Sequence, residues 1–428
     1  MSNLESNTLA LHGGQKTINK EFNPYNSLGE EERLAVDGVM RSGVLSQFLG
    51  TWHKDFYGGS KVQEFEKMAA EYFGVKHAIT VNSWTSGLIA AVGALDIEPG
   101  DEIIVSPWTM SASATAILHW NAIPVFADIE EDTFNIDPAS VEDNITSRTK
   151  AIMAVDIFGH SADMDALRKI ADKHNLKIIS DTAQAPGALY KGEYAGTLAD
   201  IGGYSLNYHK HIHTGEGGVI VTNDDKLAER MQLIRNHAEV VVEGKGVEKL
   251  NNLVGYNFRL GEIESAIGIE QLKKLKGYAQ SRERMANRLS EGLSCLNGLK
   301  TPVVMDDCTH VYYIYPLVLD VEKLGCSKFK IADALRAEGV EVATAYQNIH
   351  LIPMYQKKIA YGSKGFPWTA DFARKNISYA KGICPVAERL FDETYLGFGM
   401  CVYDLNDEDI DLIIKAFHKV WNNINHLK

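Results

Sequence analysis

From about residue 30 to residue 225, short aliphatic runs alternate with amphipathic stretches roughly twice as long. That rhythm restricts the chain to an α/β layout in which each run is a strand and each stretch a crossover helix. The spacing predicts strands at 78–81, 102–105, 123–126, 151–155, 177–181 and 218–222, rich in β-branched or aliphatic residues and closed by turn formers. Helices are expected at 86–95, 111–119, 162–174 and 224–236. A doubly wound sheet of this kind gathers ligands at the carboxyl ends of its strands, so the chemistry is sought there. Past about residue 260 the pattern changes to helices at 262–278 and 281–296, a strand at 311–319, a helix at 328–338 and a closing helix at 407–423. The segment 346–368 holds aromatics, Pro and Gly without periodicity, and is expected to be an ordered loop serving as lid or substrate wall. The resulting division is an arm at 1–29, a large domain at 30–280 and a small C-terminal α/β domain at 281–428.

Composition excludes several classes. A net formal charge of −13 gives no general attraction to nucleic acid or anionic lipid. Five cysteines, all in the last third of the chain and widely spaced, suit neither a disulfide framework nor a zinc site. No run approaches the 18 or so apolar residues of a membrane span, and the start lacks a basic then apolar leader. The expectation is a cytoplasmic protein with neither nucleic acid nor membrane as partner.

Three segments carry chemistry. In SLNYHKHIHTGEGG (205–218), Lys210 stands between a short apolar stretch and a glycine cluster, where an amine can enter a pocket beside anion-binding backbone amides and form a Schiff base. In IISDTAQAPGALY (178–190), Asp181 closes an apolar strand, where a carboxylate can meet a cationic ring nitrogen; pyridoxal phosphate enzymes need such a partner to keep the ring an electron sink. In VNSWTSGLIAA (81–91), small hydroxyl residues open an apolar helix, so backbone amides with Thr85 and Ser86 would suit a phosphate. Singly, Lys210 reads as a solvated loop residue and Asp181 as a helix cap; together they favour the cofactor. His209, His211 and His213 alternate and invite a metal reading, which the lysine loop outweighs, so no metal is expected.

These motifs, followed by GYNFRLGEIESAIG (255–268), occur in an order that resembles the DegT/DnrJ/StrS family of sugar aminotransferases, from about Leu9 to the C-terminus. The resemblance implies an aspartate-aminotransferase-like fold of type I, with a mostly parallel seven-stranded sheet flanked by helices, and pyridoxal 5′-phosphate as cofactor. It implies that Lys210 holds the cofactor by a Schiff base and then shuttles the proton. Asp181 would pair with the ring nitrogen, Gln184 would bond or pack at the phenolic oxygen, and Thr85, Ser86 and Ser205 would take the phosphate. Asn257 would serve the neighbouring subunit's cofactor, making a homodimer with shared sites.

The sequence departs from the family pattern in places. Trp84 replaces a glycine beside the phosphate loop, Asp156 stands where many relatives have His, and the ring-stacking position aligns with Met110, leaving Met110, Trp84 or Trp108 for that role. The resemblance further implies glutamate or glutamine as amino donor and a keto-sugar as acceptor. The opening LALHGGQKT, similar to those of inosose aminotransferases, and the compact GSKGFPW (362–368) favour an acceptor without a nucleotide; the full-length resemblance implies, foremost, the C8 position of 3,8-dideoxy-8-oxo-manno-octulosonate, a lipopolysaccharide sugar. Nucleotide-linked 3- or 4-keto sugars and cyclitol ketones are the alternatives. Trp108, His209, His211 and Trp368 are the candidate acceptor contacts. A non-catalytic cofactor-binding sensor is the competing class, and retention of both Lys210 and Asp181 argues against it.

Overall fold

The structure, a computed structural model, describes residues 8–428, so the first seven residues of the expected arm lie outside it. The main sheet comprises β1 (His77–Val81), β2 (Glu102–Val105), β3 (Ile123–Phe126), β4 (Thr149–Val155), β5 (Lys177–Asp181), β6 (Ile201–Ser205) and β7 (Gly218–Thr222). Among the described residues these seven strands lie in the order β1-β7-β6-β5-β4-β2-β3, with β7 antiparallel to both neighbours and the other pairs parallel. The register Ala151↔Lys177 through Val155↔Asp181 carries Asp181 to the carboxyl end of the central strands.

Six of the strands coincide with the aliphatic runs. The seventh, β6, does not, because its centre is Gly202-Gly203 in place of branched side chains. A Cβ on Gly202 would stand 1.8 Å from the Gly196 carbonyl oxygen, and one on Gly203 would stand 2.1 Å from the Trp84 ring. Close approach on both faces thus removes the side chains by which a strand is recognised.

Helices α1 (Ser60–Phe73), α2 (Trp84–Ala94), α3 (Ser111–His119), α4 (Met164–His174) and α5 (Asp225–Arg235) flank this sheet. The segment WTSGLIAAVGA of α2 is apolar on nearly every side, and the helix is accordingly buried, between the sheet and helices α3 and α5. The predicted helices at 262–278 and 281–296 are one continuous helix, α6 (Glu262–Leu293), since nothing between them breaks a helix. It packs on α1 near its start and on α8 (Asp407–Asn422) near its end, so one element spans residue 280, where the boundary between domains is expected.

A second sheet, β8 (Leu299–Lys300), β9 (Tyr315–Leu319), β10 (Val342–Ala343) and β11 (Tyr395–Phe398), is antiparallel in the order β8-β9-β11-β10. It carries its own core with α7 (Lys328–Glu338) and α8. The strand expected at 311–319 starts only at Tyr315; residues before it turn toward the Lys210 loop. Residues 8–29 lie along this second core: Glu338 accepts from Ala10 N (2.7 Å), Thr17 N (2.9 Å) and Thr17 Oγ1 (2.6 Å), and pairs with Lys419. Tyr25 then reaches back, its hydroxyl donating to the His211 carbonyl at 2.6 Å.

At the β1 edge of the large sheet, buried Arg235 donates to Glu66 (2.5 Å) and to the Thr80 carbonyl (3.0 Å), while Glu66 also accepts from Thr80 N and Oγ1, both at 2.9 Å. This joins α1, β1 and α5. Glu66→Ala leaves the guanidinium buried without its anion and is expected to cost about 3–5 kcal/mol in urea unfolding; a loss below about 1 kcal/mol would contradict this account.

Candidate active site

The carboxyl ends of β4, β5 and β6 and the entrances of α2 and α3 enclose a cavity of about 240 Å³. Lys210, Asp181, Gln184, Thr85 and Ser205 all line it. Lys210 closes a tight turn after β6, its N–H donating to the Asn207 carbonyl at 3.0 Å, and Thr214 N returns to the Leu206 carbonyl at 3.0 Å. The loop aims the lysine inward, where Nζ sits 4.1 Å from the centroid of the Tyr313 ring and the residue is 7% exposed. Burial pushes this amine down to about 8, opposed in part by the Asp181 charge.

Asp181 is 4% exposed and held on both oxygens: Oδ1 accepts from the Trp84 indole N–H at 2.7 Å, and Oδ2 from the Ser113 hydroxyl at 2.6 Å. Gln184 is fixed likewise, its Oε1 accepting from Phe158 N and its Nε2 donating to the Tyr346 hydroxyl, each at 2.9 Å. Asp156, in the position where many relatives have His, lies fully buried behind β5. It accepts from Thr182 Oγ1 (2.6 Å), Ala162 N and Ser180 Oγ (both 2.9 Å), and so braces the chain beside Asp181.

Ser83 caps α2, its Oγ accepting from Ser86 N at 3.1 Å, and the Ser86 hydroxyl donates inward to Asn82 Oδ1 at 2.7 Å. Ser83 and Thr85 therefore face the cavity at the helix entrance, and Ser86 does not. Met110 lines the cavity and is 65% exposed, in contrast to the indoles. Asn257 is exposed, next to β1, and is not part of its own chain's cavity; its carbonyl accepts from Asn82 Nδ2.

Three of the four candidate acceptor contacts are corrected. Trp108 is fully buried, its N–H donating to Asn348 Oδ1 at 2.7 Å within an aromatic cluster, so it supports the wall from behind. Trp368 packs against Tyr355 and Tyr379 beside β3, donating to the Tyr379 hydroxyl at 2.9 Å. His211 is buried with Nε2 at 2.8 Å from the Val311 carbonyl, because side chains alternating about Lys210 cannot all follow it into the cavity. Only His209 lines it, and burial with the Lys210 charge holds that imidazole down to about 4. His213 turns outward, its Nδ1 accepting from Gly215 N at 3.3 Å. Tyr313, and Ser113 on Asp181, were not among the residues expected from the sequence; Tyr346, the first residue of the aromatic segment 346–368, lines the cavity.

The donors suit pyridoxal phosphate. A depressed amine, a buried carboxylate with acceptor capacity to spare, and a capped helix entrance share one cavity, and among the described residues the Asn207 Oδ1 on its wall is buried without a partner. Comparison with known proteins agrees. Residues 29–388 match the model of the DegT/DnrJ/EryC1/StrS aminotransferase family. GDP-perosamine synthase of Caulobacter vibrioides is 38% identical over 325 residues, 75% of this chain and 85% of that protein. A putative L-glutamine:3-amino-2,3-dideoxy-scyllo-inosose aminotransferase of Streptomyces kanamyceticus is 31% identical over 431 residues, 99% of both chains. The structure of DesV from S. venezuelae in complex with a ketimine intermediate superposes with a TM-score of 0.76 at 30% identity, over 91% of this chain and 94% of that one. The protein thus belongs to the DegT/DnrJ/EryC1/StrS aminotransferase family and is a sugar aminotransferase that uses pyridoxal phosphate.

Proposed function

We propose that Lys210 forms the Schiff base with the cofactor aldehyde, that Asp181 meets its ring nitrogen, and that Ser83, Thr85 and Ser205 with the entrance of α2 take its phosphate. The observation that carries this reading is the buried amine and the buried carboxylate in one cavity. When bound, the cofactor supplies an electron sink conjugated to the reacting carbon. Lys210, released as a free amine, has its Nζ against the Tyr313 ring and acts as the base that takes the donor's Cα proton and returns it. Gln184, with both ends engaged, is a fixed part of the cavity wall and would meet the ring's phenolic oxygen. Met110, which lines the cavity and is otherwise exposed, would cover the ring face.

The chain's own lining brings one cation, Lys210, and two carboxylates, Asp181 and Glu216, whereas the donor and cofactor are anionic. Further donors must come from outside the protomer. Asn257 and the exposed apolar residues Leu45, Leu49, Trp52, Val240 and Val254 supply both a donor and a surface for a second copy. The working unit is therefore a homodimer with shared sites.

For the acceptor, we infer a single-ring ketone or aldehyde without a nucleotide. The cyclitol aminotransferase matched from end to end supports this, while GDP-perosamine synthase matches a shorter stretch. The compact segment 362–368 no longer contributes, because it lies beside β3 and away from the cavity. Glutamate or glutamine is the donor; 3,8-dideoxy-8-oxo-manno-octulosonate and a scyllo-inosose are the first acceptors to assay, with a GDP-linked 4-keto sugar as the contrasting case.

Three outcomes are expected. Lys210→Ala lowers turnover by roughly 10²- to 10⁴-fold and abolishes the cofactor's visible-band response to glutamate; near-normal turnover would remove the assignment. The rate at which cofactor-free protein captures pyridoxal phosphate rises with pH to a midpoint at about 8, because burial disfavours the ammonium form and leaves neutral amine available below the ordinary lysine range; a midpoint near 10.5 would show an exposed amine. Mixing Lys210→Ala with Asn257→Ala subunits restores activity that neither has alone, since a hybrid holds one site with both residues intact; failure to complement would argue against sharing across the dimer.

A further inference from the structure

We propose that Trp84 is a positioning residue for Asp181, its indole N–H fixing the carboxylate so that it meets the cofactor's ring nitrogen as an oriented anion. The inference rests on the reading of Asp181 given above. Trp84 is 5% exposed, and the ring lies in a slot cleared by glycine: a Cβ on Gly87 would stand 2.6 Å from it and one on Gly203 2.1 Å. Its backbone in turn abuts Gly218, where a Cβ would come within 2.9 Å. A phenyl ring would fill much of this slot. What the indole adds is a donor, and that donor lies 2.7 Å from Asp181 Oδ1.

A single hydrogen bond would leave the carboxylate free to turn about its Cβ–Cγ bond. Here the two oxygens are held from different helices, Oδ1 by Trp84 of α2 and Oδ2 by Ser113 of α3, with Ala183 N adding a 3.3 Å contact to Oδ1. Ser113 is itself fixed by Thr109 Oγ1 at 2.6 Å. An ionised carboxylate has about four acceptor positions, so capacity remains for a ring N–H. Trp84 and Ser113 therefore hold the carboxylate in one orientation, with an acceptor position left for a ring N–H.

The test is a double-mutant cycle read as the dissociation constant for pyridoxal phosphate, by absorbance titration of Trp84→Phe, Asp181→Asn and the double variant, with thermal unfolding of each cofactor-free protein alongside. Trp84→Phe is expected to weaken binding about 10- to 100-fold in the native background, the range that follows from leaving a charged acceptor short of a donor. In the Asp181→Asn background the same change is expected to shift binding by less than about twofold, because its route of action is gone. Equal weakening in both backgrounds would mean that the indole only fills space, and would overturn the proposal. Native-like binding by Trp84→Phe together with weak binding by Asp181→Asn would overturn it while leaving Asp181 as the ring partner. Native-like binding by Asp181→Asn would overturn the Asp181 assignment itself. Should Trp84→Phe not fold, Trp84→Met, which removes the N–H donor with a flexible apolar chain, enters the same cycle with the same expected outcomes.

Discussion

A carboxylate buried at the end of a central strand costs several kcal/mol unless donors surround it, and the active end of this molecule is organised around that requirement at Asp181. Strand β5 carries it to the carboxyl edge, α2 supplies an indole N–H, α3 supplies a hydroxyl, and the turn after β5 supplies a backbone amide. Each donor needs its own element at a fixed height above the sheet. The same arrangement opens the cavity that Lys210, brought from the loop after β6, shares with the carboxylate. Burial that lowers the lysine and donors that hold the aspartate are one design, because both need water kept out.

Most of the large sheet was legible in the sequence, since a parallel strand covered on both faces must be a near-continuous aliphatic run. Strand β6 escaped for a reason connected with function. Its glycines make room for Gly196 on one side and for Trp84 on the other, so the rule that marks strands yields where the site demands close approach. The second sheet was read less well. Strands of two residues, such as β8 and β10, carry no periodic signal, and a helix as long as α6 looks like two when polar residues crowd its middle.

Within the site, Lys210 and Asp181 stood out because a strand-end Asp and a lysine before glycines are local patterns, whereas Glu216 carried no such signal. The residues that shape the cavity did not stand out either. Tyr313 comes from the chain just ahead of β9 and meets Lys210, while Ser113, in the first turn of α3, bonds Asp181; both contacts are products of the fold. Trp108 and Trp368 show the converse error. Both are aromatics near motif residues, and both are buried as supports, where a large ring contributes more through packing than through contact with a ligand.

Trp84 ties these observations together. In the sequence it is a departure from the family pattern; in the structure it is a fitted part, with two glycines cleared for its ring and an acceptor at its nitrogen. A substitution of glycine by tryptophan at a phosphate loop would ordinarily obstruct the ligand. Here the ring lies between α2 and β6 against Gly87 and Gly203, and Ser83 and Thr85 line the cavity with it. The glycine at 203 and the tryptophan at 84 are therefore a coupled pair. A chain with either alone would have a void at the sheet or a ring without a slot, and in both cases Asp181 would lose the indole hydrogen bond on Oδ1 and keep there only the longer contact from Ala183 N.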